Sequence, residues 1–203
     1  MHRSLAPLLL ALLTLSACST TRVQAPIDTT PVVMDDVMTF SGGMMGGSGP
    51  FTLLSLRDGS IVVAADATGE ARADSASAMW DIGIRGTEVI VNGGASGPGG
   101  VRGLLAESTY GDLTAVPDGL ATDGEGECPS GRDPRVVCHG SGNGWYSYAD
   151  AGVMPIETRT LVIARRDGSA AKVRFLSYEL GDALPSGVRP RYVSLEATPM
   201  AAR

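Results

Sequence analysis

Lysine occurs once in the 203 residues, at Lys172, histidine twice and cysteine three times, and aromatic side chains make up only 5% of the chain. With 16 Lys plus Arg against 22 Asp plus Glu, the net charge is −6 and no basic run exists. Phosphate neutralisation needs concentrated positive charge, so no nucleic-acid partner is expected. Nearly all the positive charge is guanidinium, which suits fixed, bidentate contacts better than a solvated coat. The sequence has no H-E-x-x-H, no G-x-S-x-G and no C-x-x-C pair, the patterns of zinc proteases, serine hydrolases and zinc ribbons. Asp58, Asp118, Asp123 and Asp167 are scattered through turns, where aspartate caps backbone groups more often than it does chemistry. The chain is therefore read as a non-enzyme.

No apolar stripe at helical spacing lasts three turns, which excludes a helical bundle. What is abundant is turn chemistry: 27 glycines and 12 prolines, about 19% of the chain against an average near 12%. A hydrophobic fraction of 43% is still enough for a core and argues against wholesale disorder. The composition predicts many short strands joined by turns.

The N-terminus starts with His2 and Arg3 and continues as an apolar run from Leu5 to Leu15, too short to span a bilayer core of roughly 30 Å. Leu15 to Cys18 reads LSAC and resembles a bacterial lipobox, which makes residues 1–17 a signal peptide and Cys18 the lipidated first residue of the mature chain. Buried acyl chains, at about 0.8 kcal/mol per CH₂, anchor such a protein to a membrane. Ser19, in place of an aspartate, points to the outer membrane. Residues 18–50, with Pro26, Pro31 and the stretch SGGMMGGSG, read as the lipidated cysteine and a flexible tether. Met44 and Met45 in that stretch are read as filler, although copper(I) uses such sulfurs. Residues 51–203 are left as one β domain.

With Cys18 assigned to lipid, Cys128 and Cys138 form an even pair in an oxidising compartment, where a disulfide is expected. Closing that loop of about 11 residues is worth roughly 3 kcal/mol in the chain-entropy model. His139 beside Cys138 raises a metal site as the alternative, but zinc usually takes closely spaced ligand pairs that are absent here.

Three hairpins stand out. Phe51–Leu56 and Ser60–Ala65 flank Asp58-Gly59; MWDIGIR and TEVIVN turn at Gly86; TLVIAR and AAKVRFLSY turn at Asp167-Gly168. In the last strand Ala171, Val173 and Phe175 share one face while Lys172 and Arg174 share the other, the period of a half-buried antiparallel strand. RYVSLEA near the end alternates again. The fold class is all-β, with antiparallel sheets built from consecutive hairpins and long Gly-rich loops. Asn92-Gly93-Gly94 and the glycines running to Gly103 lack the Gly-Lys-Ser/Thr step of a phosphate loop and read as a long surface turn.

The order of segments resembles the HmuY-like family, haem-capturing lipoproteins of Gram-negative bacteria. The resemblance covers about 51–197 and is carried by Trp80-Asp81-Ile82, Asn92-Gly93-Gly94, GWYSY around Trp145, and Asp167-Gly168 leading to Ala171-Lys172-Val173. It implies an all-β fold at the cell surface and a haem held between two axial side chains for delivery to an outer-membrane receptor. The family's axial positions fall here on DGLATDGEGEC, Asp118 to Cys128, which holds neither His nor Met, and on Asp150. Met154, four residues further on, and His139 are the nearest side chains able to ligate haem iron. Trp145 and Tyr148 are expected to supply aromatic walls, and Arg135, with Arg132, bidentate donors for propionates. A structural or adhesive surface lipoprotein that kept the scaffold and lost the ligands is the competing expectation.

Overall fold

A computed structural model describes residues 29–39, 49–66, 74–129, 134–150, 152–183 and 189–201. Cys18, the lipobox, Met44, Met45 and Arg132 lie outside the described residues. The strands are β1 (Val32–Thr39), β2 (Thr52–Leu54), β3 (Ile61–Val63), β4 (Ile82–Arg85), β5 (Glu88–Val91) and β6 (Arg102–Ala106). They continue as β7 (Tyr146–Ala149), β8 (Gly152–Pro155), β9 (Thr160–Ala164), β10 (Ala170–Leu180) and β11 (Arg191–Met200). Every strand-to-strand pairing is antiparallel, and the described residues contain no α-helix. The fold is all-β, as the turn-rich composition predicts.

Two sheets face each other. One has the order β1-β11-β10-β9-β6, the other β3-β2-β4-β5, and β7 pairs with β8 as a separate ribbon. Leu161 and Ile163 of β9, Val173 and Phe175 of β10, and Leu195 of β11 pack against Leu54, Ile82, Ile84 and Val91 of the smaller sheet. β9 is buried on both faces, because Val162 on its other side packs with Val116, Ala170 and Met200. This explains its unbroken apolar run, the mark of a strand covered twice. The smaller sheet has its own second cluster, in which Trp80 covers Leu53, Val63 and Ile90.

The turn chemistry works as the sequence suggests. Gly59 and Gly168 adopt φ of 75° and 84°, values that glycine reaches without steric penalty. In both turns the preceding aspartate caps the serine that follows. Asp58 Oδ1 accepts from Ser60 N and Oγ at 3.2 and 2.9 Å, and Asp167 Oδ1 from Ser169 N and Oγ at 2.9 and 2.7 Å. Hydrogen bonds from Ser169, together with the Arg57 guanidinium, hold the Asp167 carboxyl well below the usual carboxylate range.

Two expectations are corrected. Residues 32–39 are part of the domain and not tether: β1 pairs with β11 and buries Met34 and Val37. Its alternation is hidden in the sequence by Asp35-Asp36, where the register shifts between Met34 and Val37 and Asp36 takes a φ of 50°. The Asn92 region is likewise more than a surface turn. Asn92 is fully buried; its Nδ2 donates to the Ser77 and Trp80 carbonyls at 3.0 and 2.8 Å, and its Oδ1 accepts from Gly99 N at 2.8 Å. Gly93 lies so close to β6's approach that a Cβ there would sit 2.0 Å from the Val101 carbonyl oxygen. Buried Asp123 then ties the disulfide segment to β5, accepting from Val91 N and Val136 N, both at 2.9 Å.

Candidate functional site

β10 is 11 residues long, but β9 pairs only with Ala170–Val173. Beyond Val173 the flank of β10 on that side is taken up by the β7–β8 ribbon, and a cleft of about 450 Å³ opens there. Its apolar wall is Met154, Pro155, Ile156, Phe175 and Leu176. Its polar rim includes Tyr110, Arg159 and Arg174. Leu176 occupies the bulge between Phe175 and Ser177 and is 41% exposed; Met154 is 45% exposed. The cleft thus falls in the size range of small-molecule sites, about 300–1,000 Å³, and has their mix of greasy walls and a few polar groups.

The rim is ordered by ion pairs. Arg174 meets Glu196 Oε2 through Nη2 at 2.6 Å and Nε at 3.1 Å, and its guanidinium lies 4.8 Å from the centre of the Tyr110 ring. Lys172 Nζ approaches the same ring at 4.6 Å and donates to the Tyr110 and Leu113 carbonyls. Tyr110 donates its own hydroxyl to Thr198 Oγ1 at 2.5 Å. Burial pushes the Tyr110 phenol up to about 12, so it stands neutral at physiological pH. Arg159 reaches Glu107 Oε1 at 2.8 Å and donates to the Gly142 and Gly144 carbonyls, fixing the 140–144 turn beside the cleft.

Of the candidate haem-site residues named from the sequence, the cleft contains Met154 alone. Trp145 is 2% exposed, stacked on Phe175 with centroids 4.2 Å apart, and donates Nε1–H to the Thr87 carbonyl at 2.9 Å. It therefore backs the cleft wall from inside the core. Tyr148 is 65% exposed and lies edge-on to Tyr146. Since Tyr148 pairs with Val153 and Ser147 with Met154, Tyr148 and Met154 project from opposite faces of the ribbon. His139 is exposed in the chain just after Cys138, outside the cleft. Arg135 lines a different hollow of about 380 Å³ along β6 and lies 3.9 Å from Glu88. Cys128 and Cys138 are joined as a disulfide with Cα atoms 5.4 Å apart.

The rim residues Tyr110 and Arg159 escaped the sequence reading, and Arg174 was legible there only as part of the outer face of β10. The one local signal was Leu176, where the alternation of β10 breaks. The donor set has a definite chemical bias. Among the cleft-lining residues a thioether is the only soft ligand, and the described residues hold no group of three or more His, Cys, Asp or Glu placed for a bare metal ion. Such a set offers sulfur to a soft metal centre, hydrocarbon to an apolar face and guanidinium to carboxylates, with the Glu157 carboxylate also at the edge.

No protein-family profile matches the chain, and no curated protein sequence matches it. Among solved structures, the chain is similar to the apo HmuY analog of Tannerella forsythia, at 16% identity, 86% of this chain and 96% of that one, with a TM-score of 0.40. It is also similar to apo PinO from Porphyromonas gingivitis, at 16% identity, 87% of this chain and all of that one, with a TM-score of 0.42. The first of these bears the name of the family that the order of sequence segments resembles.

Proposed function

We propose that this chain is a lipid-anchored surface protein that binds haem in the cleft beside Met154 and passes it to an outer-membrane receptor, without turnover. The observation that carries this reading is the placement of one thioether among Ile156, Phe175 and Leu176, with Arg159 and Arg174 at the rim. Met154 is the iron ligand in this reading, and the two arginines meet the propionates through donors that Glu107 and Glu196 leave free. His139, Trp145, Tyr148 and Arg135 stand apart from that cleft and act at most from outside it. The LSAC sequence ending at Cys18 supports the anchor.

The test is a hemin titration of the chain from residue 18 onward, carrying Cys18→Ser so that no lipid is attached. A saturable Soret shift is expected, and Met154→Ala should alter its position and weaken binding, whereas His139→Ala should leave both unchanged. An identical spectrum in Met154→Ala and the parent would remove Met154 from the site. The competing reading is an adhesive or structural surface lipoprotein, favoured by the presence of only one soft ligand in the cleft. It expects no saturable haem response in either redox state.

A further inference from the structure

A second cleft, of about 440 Å³, lies at the end of the sandwich where the β2–β3 turn meets the β9–β10 turn. Its floor is Leu56, Ala170, Ala171, Pro199 and Met200. Leu56, Ala171 and Met200 are otherwise core residues, 1%, 1% and 6% exposed, so the cleft reaches hydrocarbon that belongs to the interior. Across its rim runs the Arg57–Asp167 ion pair, 2.7 Å long, with both side chains about half exposed at 52% and 50%. Such an exposed pair is worth little and opens easily.

At the inner wall stands Arg165, 7% exposed and rigidly held. Asp81 takes its Nε and Nη2, and Ser169 Oγ accepts from Nη1 at 3.2 Å. A guanidinium fork carries more N–H groups than these three bonds use. Among the described residues, Arg57 donates one hydrogen bond, from Nη2 to Asp167. The cleft therefore offers guanidinium N–H groups beyond those that Asp81, Ser169 and Asp167 engage, on Arg165 at the wall and Arg57 at the rim, above an apolar floor.

We propose that this cleft binds an amphipathic monocarboxylate, its apolar tail on the Leu56–Met200 floor and its carboxylate between Arg165 and Arg57. The carboxylate accepts from those N–H groups, and Arg57 turns to it from Asp167. Bidentate carboxylate recognition is the geometry guanidinium serves best. This site is separate from the cleft beside Met154 and does not depend on haem binding.

Methionine methyl groups labelled with ¹³C give a direct readout, because Met200 reports on this cleft and Met154 on the other. Decanoate added below its micellar concentration to the chain from residue 18, with Cys18→Ser, should shift the Met200 signal saturably and leave Met154 unmoved. Decanol should bind more weakly by about tenfold, the scale of one charge-assisted hydrogen bond, and acetate should give no shift. Arg57→Ala, a surface change that leaves the core alone, should weaken decanoate by a similar factor, and Pro199→Trp should fill the floor and abolish the shift. A Met200 signal that does not saturate, an equal response to decanol, or an unaltered response in Pro199→Trp would each overturn the proposal.

Discussion

Arg165 and Asp81 meet as a bidentate pair, Nε to Oδ1 at 2.6 Å and Nη2 to Oδ2 at 2.9 Å, with side chains only 7% and 5% exposed. Asp81 precedes β4 of the smaller sheet, and Arg165 follows β9 of the larger one. The same carboxylate accepts from Leu56 N at 2.8 Å. One side chain thus joins both sheets and satisfies a buried amide.

Removing one partner of such a pair leaves a buried charge uncompensated, and Asp81→Ala should destabilise the protein by about 3–5 kcal/mol. The double variant Asp81→Leu/Arg165→Met should lose less than the single one, since both charges go together. Urea unfolding followed by tryptophan fluorescence measures both. A single-variant loss under about 1 kcal/mol would mean that the pair behaves like a surface contact.

Gly93→Ala tests the close approach at the Asn92 turn. Its new Cβ has no room beside the Val101 carbonyl, which is backbone and cannot swing aside. The loss should be at least the 1–3 kcal/mol typical of overpacking, roughly 2 kcal/mol or more. Gly111→Ala, where nothing lies within 4 Å of the added carbon, is the matched control and should be nearly neutral by comparison.

Alkaline pH should weaken the fold through Tyr110. Its phenol titrates at about 12 in the fold against 10.0 as the ordinary value. The folded state therefore holds the proton where the unfolded chain has released it, and stability falls as pH rises through that window. Tyr110→Phe should lose part of this slope between pH 10 and 12 while Tyr146 and Tyr178, also raised by burial, keep the remainder. Parallel pH profiles for the variant and the parent would show that Tyr110 contributes no such linkage.

The legibility of the chain follows the range of the interactions. Hairpins at Asp58-Gly59, Gly86 and Asp167-Gly168 were readable because a turn is decided by two or three neighbours, and the lone apolar run of β9 announced a strand. β1 was not, since its two adjacent aspartates interrupt the alternation at a bulge whose reason lies across the sheet at Ser194, which accepts from Asp36 N at 3.1 Å. The β7–β8 ribbon is not among the hairpins legible in the sequence, because the alternation of Tyr146 and Tyr148 on one face, with Met154 on the other, emerges only once the partner strand is known. The cleft itself draws Tyr110, Met154, Arg159 and Arg174 from three separate stretches of chain. Their convergence depends on β10 outrunning β9, a difference in strand length that no local motif encodes.

The pairing of β1 with β11 also sets a height. With Cys18 carrying the lipid, as the proposed function holds, 14 residues lead from the anchor to Val32 where a tether reaching Phe51 would have 33. Even a fully stretched backbone, at about 3.3–3.6 Å per residue, then lifts the domain about 50 Å above the bilayer instead of about 110 Å. On that reading, such a leash would hold the domain close to the membrane plane, and any handover would be an encounter in two dimensions.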